Sequence, residues 1–524
     1  MKGSFWPVSA RGKSQQGLQL GVINKKMKEH IIEDYDSLKN YFRKIERPFF
    51  AVNKYPYSAL IGIENLTNKF EVIAYLNSKE TEVIAKKHKV LLFSKGKIRG
   101  EIKGEYLENI IYKGNETIND ENSKTISVLQ EDGIIKHLQS FEEKPVLLIY
   151  RMSKGLVDVF KKYDWTIVGS DYNVRNKYDN KIDFNKMLKY VNLPFPPHMI
   201  LSQEDIEYDK VVNSLGVRMV IQFPISFSGS GTFIIHSKED FNKTIYSERF
   251  KKQKKKNELG KIRITKYVNR KLSPVIGVCC TKEGIVYTDL YHQIIDAPEV
   301  VKKEKGTGVY CGNEWTSANF SENIKKQAYE AAEKIGSYLQ KKEGYKGYFG
   351  LDFVLDDNTK ILYPIEVNIR LIGSFPVFSM LQEFHNKPLI QAIQILQYLD
   401  RDDYVLDVES LNREMKGAMK GSYLHIYSNS SKAVYNNGEL EAGIYHVGKG
   451  GDINFSRQSY SLLDLRSEDE FLVSQGVPHR NTKFVNYQTV TDIITKGSFM
   501  DMNGESTCFA KKAISFCYDT LNLE

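Results

Sequence analysis

The sequence predicts an α/β protein with additional α+β parts, and three observations support this fold class. A buried strand, a helix and a second strand follow one another over residues 145–171, which is typical of a βαβ unit in a parallel sheet. Two strands at 349–355 and 361–370, joined by the turn residues Asp-Asp-Asn-Thr, predict an antiparallel hairpin. The length of 524 residues predicts about three or four folding units.

The composition excludes several classes of protein. With 41% hydrophobic, 27% charged and 12% aromatic residues, the chain is neither disordered nor collagen-like and can bury a large core. Its 74 basic and 65 acidic residues give a net charge of +9, which favours an anionic ligand without indicating nucleic-acid binding. Five cysteines without CxxC spacing indicate neither a disulfide framework nor a zinc site.

The sequence also lacks membrane signals. No apolar run approaches the roughly 20 residues that cross a bilayer, and residues 1–30 lack the apolar stretch of a secretory signal. We expect these first residues to be loosely structured. The chain is therefore predicted to be cytoplasmic and to have no membrane partner.

The N-terminal part of the chain alternates short apolar runs with helical patterns. Residues 31–178 are predicted to form one α/β domain, which includes the strand–helix–strand unit and a further strand at 90–93. A linker region at 179–205 begins with a helix at 181–191, and the proline-rich residues after this helix end it.

The central and C-terminal parts divide into three further predicted units. Residues 206–298 hold the predicted strands 217–223, 232–236, 263–268 and 274–280. Residues 299–405 hold the hairpin between a helix at 321–341, capped by Ser321 and stopped by Gly344, and a helix at 386–399. Residues 406–524 contain short strand-like pieces and a closing helix near 505–521, and are predicted as an additional α+β region.

The strongest chemical signal lies on the hairpin. Alternate residues of a strand share a face, so Glu366, Asn368 and Arg370 project together, and the turn brings Asp352 back beside them. Two carboxylates and an amide oxygen are ligands that suit Mg²⁺, which commonly also binds nucleotide phosphates. An adjacent arginine can hold a phosphoryl group. The alternative is a surface strand whose polar residues simply face water.

A second, weaker signal is the run of small residues at 226–232 between two predicted strands. Without bulky side chains, backbone N–H groups can approach and cradle a phosphate. A flexible hairpin loop explains the same residues equally well.

These motifs, in this order, resemble the ATP-grasp superfamily of ligases and carboxylases. The resemblance rests on Asp179-Asn180-Lys181 with LPFPP, on VRMVIQFPISFSGSGTF, on RITKYV followed by PVIGVCC, and on GYFGLDFVLDDNTKILYPIEVNIRLIGS. The stretch YHQIIDAP is similar to one in biotin carboxylase-like members. The similarity covers about residues 145–400, and residues 406–524 match no part of the family pattern. It implies an ATP-grasp architecture with a Rossmann-like first domain at 31–178, a lid subdomain at 206–298 and a metal-binding catalytic subdomain at 299–405.

The resemblance also implies site residues. The metal ligands would be Asp352, Glu366 and Asn368, which would bind Mg²⁺ or Mn²⁺ that bridges to the phosphates of ATP. Arg370 would hold the γ-phosphate or the acyl phosphate formed from it, and Lys181 would contact a phosphate of ATP. The implied lid residues, which would close over the phosphates, are Ser228, Gly229, Ser230 and Gly231. The implied hinge residues, which would offer backbone groups to adenine, are Lys266, Tyr267 and Val268. His292 would lie near the phosphates, although a core or surface histidine explains it equally well.

The sequence departs from the family pattern at three nucleotide-binding positions. The hinge glutamate of the family is replaced by Thr265 and Lys266, and the carboxylate that commonly binds ribose is replaced near Ser273. The second lysine that contacts ATP is replaced by Gln222, which can donate or accept hydrogen bonds but brings no charge. We expect Lys271 or the lysines of 251–256 to supply the missing charge. The basic run at 249–261 that holds the latter is otherwise predicted as a solvated edge of the lid.

The function implied is that of an ADP-forming carboxylate–amine ligase, which makes an amide or peptide-like bond through an acyl phosphate. A kinase or carboxylase of the same superfamily, and a nucleotide-binding protein without catalysis, remain alternatives. The expected partners are small carboxylate and amine substrates, such as amino acids or peptides, with no nucleic acid. A homodimer is compatible because many family members are dimers. The motifs do not identify the substrates.

Overall fold

Three sheets of four or more strands carry the architecture in the computed structural model. The structure describes residues 30–94, 97–101, 121–226, 231–302, 308–485 and 487–524. In chain order, the strands of these residues are β1 His30–Ile32, β2 Phe49–Asn53, β3 Phe70–Ala74, β4 Lys89–Ser94, β5 Lys97–Glu101, β6 Val146–Ile149, β7 Thr166–Val168, β8 His198–Ser202, β9 Met219–Gln222, β10 Thr232–Ile235, β11 Lys261–Lys266, β12 Ser273–Cys280, β13 Ile285–Tyr287, β14 Tyr291–Ile295, β15 Tyr310–Glu314, β16 Gly347–Leu355, β17 Leu362–Asn368, β18 Tyr404–Leu406, β19 Ser422–Tyr427, β20 Val434–Tyr435, β21 Gly443–Val447, β22 Ile453–Arg457, β23 Glu470–Ser474, β24 Lys483–Phe484 and β25 Thr489–Thr495.

The α-helices of the described residues lie between these strands. They are α1 Tyr35–Phe42, α2 Pro56–Ala59, α3 Thr81–Ala85, α4 Glu121–Leu129, α5 Asp132–Gln139, α6 Lys154–Phe160, α7 Tyr172–Tyr178, α8 Lys181–Tyr190, α9 Tyr208–Leu215, α10 Lys238–Tyr246, α11 Glu248–Lys256, α12 Glu322–Glu343, α13 Val377–Phe384, α14 Ile390–Leu396, α15 Val408–Met415 and α16 Cys508–Leu521. The first 29 residues, predicted to be loosely structured, lie outside the described residues.

The N-terminal domain is built on a six-stranded sheet in the order β5-β4-β3-β2-β6-β7. Strands β2, β3 and β6 are almost wholly buried apolar runs, as expected of parallel strands covered on both faces. The strand–helix–strand unit predicted at 145–171 is confirmed, because β6 and β7 pair in parallel across helix α6. Only β5 runs antiparallel to its neighbour.

A four-stranded antiparallel sheet forms a second body, which we call the lid sheet. Its strand order is β10-β9-β11-β8, so it begins at His198 and ends at Lys266. Helices α10 and α11 pack on it, with Phe241 and Phe250 buried in its core. The basic run predicted as a solvated edge forms α11, whose six Lys and Arg residues are exposed or half-buried.

The largest sheet has eleven strands and is antiparallel at every pairing along its path. The order is β17-β16-β12-β14-β15-β19-β25-β23-β21-β22, with β13 paired to β12. The sequence-based boundaries place β12 and β14 in the lid subdomain. In the structure, the two strands pair with each other in the central sheet, and β12 also pairs with β16 of the hairpin. The predicted hairpin is confirmed as β16 and β17.

Residues 406–524 extend this same central sheet. Strands β19, β21, β22, β23 and β25 continue it beyond β15, and α16 packs on their inner face through residues such as Ile514 and Cys517. At the opposite end of the chain, β1 pairs in parallel with β18, joining residues 30–32 to 404–406. The C-terminal region thus shares the backbone framework that carries the hairpin.

The helices around the hairpin support it from behind. Helix α12 buries the stripe that includes Ala328, Ala331, Ile335 and Leu339 against the central sheet, and Gly344 ends it in the left-handed conformation at φ 63°. The helix predicted at 386–399 is the shorter α14, Ile390–Leu396. Every described helix is too short or too polar to span a membrane.

Candidate functional site

A cavity of about 550 Å³ lies between the lid sheet and the central sheet. This volume is in the range of pockets that hold a ligand of nucleotide size. Its wall contains nine of the residues predicted from the sequence, namely Lys181, Gln222, Lys266, Tyr267, Val268, Asp352, Glu366, Asn368 and Arg370. The fold therefore brings together segments that are up to about 190 residues apart, from Lys181 to Arg370.

The hairpin holds its polar side chains in one hydrogen-bonded row. Asp352 lies directly opposite Glu366, and the Asn368 Nδ2 atom donates to Asp352 Oδ2 at 3.0 Å. The Arg370 Nη2 atom in turn donates to Asn368 Oδ1 at 3.0 Å. A bulge on β17, between the partners of Asp352 and Phe353, shifts the register just before Glu366. The shared face expected from the alternation of strand residues is present in the structure.

Asp352 has an incomplete set of partners. Its buried Oδ1 atom has no hydrogen-bond partner among the described residues. Burial, and then the charge of Glu366, raise the pKa of Asp352 to about 7. A bound divalent cation would both occupy the unpartnered oxygen and neutralise the two facing carboxyl groups, so the residues present fit such an ion. Within the described chain, no group of three or more His, Cys, Asp and Glu side chains forms a metal cluster, so two carboxylates and an amide are the available ligands.

Lys181 lies beside Glu366, one of these carboxylates. It is the first residue of α8, which Asn180 caps by accepting from the Ile182 N–H at 2.9 Å. The Lys181 side chain is only 3% exposed, and its Nζ atom lies 3.4 Å from Glu366 Oε1. The helix start thus presents a cation directly at the hairpin.

Arg263 is a site residue that the sequence analysis missed. It is directly opposite Gln222 in the pairing of β11 with β9, and its Nε and Nη2 atoms donate to Gln222 Oε1 at 3.1 and 2.7 Å. Its Nη1 atom donates to Asn185 Oδ1 at 2.7 Å, and Nη2 reaches the Ile365 carbonyl at 3.4 Å. The charge that Gln222 lacks is therefore present on the neighbouring strand.

Arg263 is a buried cation with neutral partners. Within the described chain it forms no ion pair, and burial lowers its pKa to about 10 while the charge of Glu366 acts in the opposite direction. At neutral pH the guanidinium still carries its charge. Since an unpaired buried charge is costly, this cation at the cavity wall favours an anionic occupant. Neither Lys271 nor the lysines of 251–256, expected to supply this charge, line the cavity in the described residues.

The cavity as a whole carries excess positive charge. Among the described residues of its wall, the carboxylates are Asp352 and Glu366, whereas the Lys and Arg residues are Lys181, Arg263, Lys266, Arg270 and Arg370. This imbalance matches a polyanion held together with a divalent cation better than it matches a neutral ligand.

The cavity has two distinguishable ends. The Asp357 N–H donates to the Asn269 carbonyl at 3.0 Å, which ties the hairpin tip to the hinge segment after β11. At the far end of the hairpin, Arg370 donates from Nη1 to the Tyr150 hydroxyl at 3.1 Å. From Pro364 to Arg370 the chain covers roughly 20 Å at about 3.3 Å per residue. The wall is thus long enough for an extended nucleoside triphosphate.

The hinge offers fewer backbone donors than the resemblance implies. The Lys266 N–H already donates to the Pro197 carbonyl at 2.8 Å, and the Tyr267 N–H donates to the Arg218 carbonyl at 3.1 Å. The Val268 N–H has no hydrogen-bond partner in the described part of the chain. Of the three hinge residues, Val268 is therefore the one placed to donate to a ligand.

The lid loop is described only in part. Ser228, Gly229 and Ser230 lie outside the described residues. Gly231 is described, and its carbonyl accepts from the Phe223 N–H at 3.0 Å. A Cβ atom at Gly231 would lie 2.5 Å from the Cβ atom of Ser226, so the backbone of Gly231 lies too close to Ser226 for a side chain. Gly231 is not part of the described cavity wall, whereas Ser226 and Thr232 are.

His292 does not line the cavity in the described structure. Its side chain is 2% exposed, and its Nε2 atom lies 3.3 Å from Ser317 Oγ. Burial lowers its pKa to about 4. The next residue of β14, Gln293, faces the cavity instead, because successive strand residues point to opposite faces. The structure therefore supports the reading of His292 as a core histidine.

The C-terminal region closes the end of the cavity near Arg370. His425 of β19 and Gln475, which follows β23, belong to the wall, together with Tyr310 and Asn313 of β15. The His425 Nδ1 atom lies 2.5 Å from Asp492 Oδ1 on the neighbouring strand β25. The sequence analysis predicted no role for these residues, because the only available signal, a histidine in a strand-like piece, has no local partner.

Part of the chain is similar to a known protein family. A family model for the ATP-grasp domain matches residues 178–374. The carbamoyl phosphate synthase large chain of Pyrococcus furiosus is 24% identical over 230 residues, 43% of this chain and 20% of the relative. The [butirosin acyl-carrier protein]–L-glutamate ligase of Niallia circulans is 20% identical over 282 residues, 52% of this chain and 64% of the relative. The chain therefore spans less than two thirds of either relative.

Solved structures show the fold over most of the chain. Biotin carboxylase of Campylobacter jejuni superposes with a TM-score of 0.55 at 13% identity, covering 87% of this chain and 88% of that one. The biotin carboxylase domain of Hydrogenobacter thermophilus 2-oxoglutarate carboxylase gives 0.54 at 12% identity, with 85% of each chain covered. These matches, the hairpin and the lid confirm the predicted α/β architecture. Residues 178–374 of this chain form an ATP-grasp domain, so the resemblance inferred from its motifs is confirmed.

Proposed function

We propose that the chain is an ATP-dependent, ADP-forming ligase that joins a small carboxylate to an amine through an acyl phosphate. The observation that carries this proposal is the hairpin, where Asp352, Glu366 and Asn368 form one row that ends in Arg370. Binding of a nucleotide alone would not need an arginine at the end of a row of metal ligands. Transfer of the terminal phosphoryl group would.

The relatives support the class of reaction. One of them is named as a ligase for L-glutamate and an acyl-carrier protein, and the other as a carbamoyl phosphate synthase. The structural neighbour from Hydrogenobacter thermophilus is described in complex with MgADP and bicarbonate. We carry over to this chain the use of ATP and of Mg²⁺ or Mn²⁺.

The ion would be held by Asp352, Glu366 and Asn368. When bound, it would neutralise negative charge on the β- and γ-phosphates and so favour phosphoryl transfer. Asp352 Oδ1, which has no hydrogen-bond partner among the described residues, is an oxygen available as a ligand.

Cations of the chain itself would position the triphosphate. Arg263 lies in the lid next to Gln222, and Lys181 lies 3.4 Å from Glu366. The Arg263 Nη1 atom also reaches the Lys181 carbonyl at 3.4 Å, so the two cations would bind the phosphates side by side. The free Val268 N–H and the adjoining hinge would hold the base at the other end of the cavity. This arrangement directs the γ-phosphate toward Arg370, because the hinge and Arg370 lie at opposite ends of β17.

Arg370 would hold the phosphoryl group during and after transfer. The donor carboxylate attacks the γ-phosphorus, an O–P bond forms, and ADP leaves with the electrons of the broken bond. The guanidinium is fixed by Tyr150 and Asn368, so it faces the transferred group without a large change of its own position. The side chains of β15, β19 and Gln475 that wall this end of the cavity would keep water away from the acyl phosphate.

Release of ADP under defined substrates tests the proposal. The purified chain is supplied with ATP and Mg²⁺, and with a panel of the twenty amino acids, other small carboxylic acids and bicarbonate, each with and without an amine such as ammonium. Release that requires both an acid and an amine supports the ligase. Release with bicarbonate alone would favour a carboxylase, and release with an acid and no dependence on any amine would favour a kinase.

The non-catalytic alternative has its own test. Glu366→Gln should lose turnover in whichever pairing is active, while an exposed control, Glu330→Gln on α12, should keep it. If the unaltered chain binds ATP but releases no ADP with any pairing, the nucleotide-binding alternative holds and the ligase proposal is wrong. The homodimer and the cytoplasmic location stay predictions.

A further inference from the structure

The cavity has a second cluster of titratable side chains, away from the hairpin. His425 of β19 and Asp492 of β25 are paired across the two strands, with Nδ1 and Oδ1 at 2.5 Å. Asp492 is fully buried, whereas His425 is part of the cavity wall. A buried carboxylate behind a histidine at a cavity surface fixes both the tautomer and the orientation of the ring.

The pairing leaves one ring nitrogen of His425 available. Because Asp492 accepts at Nδ1, the hydrogen of a neutral imidazole is placed there and the lone pair is at Nε2. The described residues provide no hydrogen-bond partner for this Nε2 atom. The ring also lies among three tyrosines, with centroid distances of 5.4 Å to Tyr310, 5.5 Å to Tyr423 and 5.8 Å to Tyr427. These tyrosines restrict how the ring can turn.

The cluster lies at the Arg370 end of the cavity. Tyr310 and Tyr423 are joined through their hydroxyl groups, and Tyr310 and Tyr150 both belong to the cavity wall. Tyr150 accepts from Arg370 at 3.1 Å. The Tyr310 ring also packs against Gly373, with its Cε1 atom 3.9 Å from the position of a Cβ there. His425 and Arg370 thus belong to the wall of the same cavity as Tyr310 and Tyr150.

We propose that His425, oriented by Asp492, is the base that deprotonates the acceptor amine of the ligase reaction. This inference rests on the proposed function and adds the acceptor subsite to it. An alkylammonium acceptor must lose a proton before it can attack the acyl phosphate, and the hairpin provides ligands and cations rather than a base. The subsite made by His425, Tyr310, Asn313 and Gln475 would thus take a primary amine.

In the proposed step, the three hydrogens of the ammonium group go to three different places. The ammonium group gives one proton to His425 Nε2, and the resulting amine attacks the acyl carbon, so that a C–N bond forms. The C–O bond to the phosphate breaks, and the phosphate leaves with its electrons and takes the second amine proton. The amide product keeps the third hydrogen. His425 then returns its proton to solvent, and Asp492 balances the imidazolium charge while it exists.

A comparison of two nucleophiles tests the role of His425. Hydroxylamine is mostly neutral at pH 7.5 and needs no base, so it should trap the acyl phosphate as a hydroxamate. An amino-acid or alkylamine acceptor at the same pH is mostly protonated and needs one. The enzyme is given ATP, Mg²⁺ and each acid of the panel, with either hydroxylamine or the acceptor amine.

We expect His425→Asn to lower the ratio of amide to hydroxamate at least about 100-fold, the usual contribution of a general base. Asp492→Asn, a positioning variant, should lower the same ratio by a smaller factor. His446→Asn is the matched control, because His446 is an exposed histidine on β21 of the same sheet. It should leave the ratio unchanged.

Three other results would overturn the proposal in different ways. Equal losses of both products in His425→Asn would assign the histidine a structural role. An unchanged ratio would show that another group takes the proton. If the unaltered chain forms no hydroxamate with any acid, carboxylate activation itself is absent, and the proposed function fails before the acceptor step is reached.

Discussion

Two strand pairs of the central sheet face the same cavity, and they differ in how they were assembled. On the hairpin β16–β17, Asp352 and Glu366 are 14 residues apart in the chain and lie directly opposite each other. On β19–β25, His425 and Asp492 are 67 residues apart and are also opposite each other. The first pair has an oxygen without a partner, and the second pair is closed by its own hydrogen bond.

The difference shows that a buried charged group without a partner indicates where a ligand binds. A charged group that is hydrogen-bonded within the protein instead holds its partner in a fixed orientation. Asp352 and Glu366 repel each other until a cation binds, so the hairpin is incomplete without its ligand. The β19–β25 pair is complete, and only the Nε2 side of its histidine remains for chemistry. Between the two strand pairs, the sheet is continued by the pairing of β15 with β19, which we call the seam.

Removal of a hairpin carboxylate should have the largest effect. Glu366→Gln removes one of two negative ligands and the partner of Lys181, so we expect turnover to fall about 10³-fold or more. Manganese binding, measured by calorimetry in the presence of ADP, should weaken in parallel. Loss of turnover with unchanged metal binding would mean that the hairpin is not the ion site.

The seam between the two strand pairs depends on Gly312 of β15. Its φ is +150°, and a Cβ atom there would lie 2.0 Å from the Tyr423 carbonyl oxygen of β19. Because the obstacle is backbone, we expect Gly312→Ala to lower the free energy of unfolding by about 3 kcal/mol or more. The measurement is urea denaturation followed by circular dichroism.

A second glycine provides the control for the seam. At Gly350 of the hairpin the nearest obstacle is the side-chain atom Ile372 Cγ2 at 2.7 Å, which can shift. Gly350→Ala should therefore cost less than Gly312→Ala. A similar loss in both variants would contradict the assignment of the seam as the rigid junction.

Glu314, also on β15, should make the seam pH-dependent. It is fully buried, its Oε2 accepts from the Phe499 and Met500 N–H groups at 3.2 Å, and burial raises its pKa to about 7. The folded protein therefore keeps this proton between pH 4.5 and 7 while the unfolded chain loses it. Stability from this group is complete below about pH 4.5 and is lost as the pH rises through 7, by about 3 kcal/mol at most.

Glu314→Gln should remove that dependence. The difference in unfolding free energy between pH 5 and pH 7 should become smaller in the variant than in the unaltered chain, whereas Glu330→Gln should leave it unchanged. An unaltered difference in Glu314→Gln would show that the carboxyl group is ionised in the folded state throughout this range.

The lid pair β9–β11 should give the smallest of the four effects. Arg263→Met removes the buried cation beside Gln222, and we expect the KM for ATP to rise about 30-fold, or roughly 2 kcal/mol. Arg263→Lys, which keeps the charge, should lose less. Lys271→Met should have little effect, because Lys271 is exposed and outside the described cavity wall. The opposite order would restore Lys271 as the compensating residue.

The sequence predicted features that depend on neighbouring residues and missed those that depend on the pairing of strands far apart in the chain. The hairpin, the helix at Lys181 and the strands of the lid follow from short patterns of period 2 or 3.6 and from turn residues. The role of Arg263 depends on the register of β9 against β11, 41 residues apart, and strand prediction does not provide that register. The same limit applies to His425 and Asp492, and to the pairing of β12 with the hairpin.

A resemblance to a family motif does not show which residue of a strand faces the cavity. His292 lies in a stretch that resembles the family, but the alternation of β14 directs Gln293 to the cavity and His292 to the core. The lysines of 251–256 are among the residues expected to supply the charge that Gln222 lacks. Helix α11 instead places them on the far side of the lid sheet from Gln222, around the buried Phe250.

Arg263 joins two parts of the molecule that are otherwise in separate sheets. It belongs to the lid, yet its guanidinium donates to Asn185 of α8 and to the backbone of the hairpin. Any rotation of the lid away from α8 would have to break these bonds. A phosphate that draws the guanidinium toward itself would weaken the same bonds, so nucleotide occupancy and lid opening would be thermodynamically linked through one side chain.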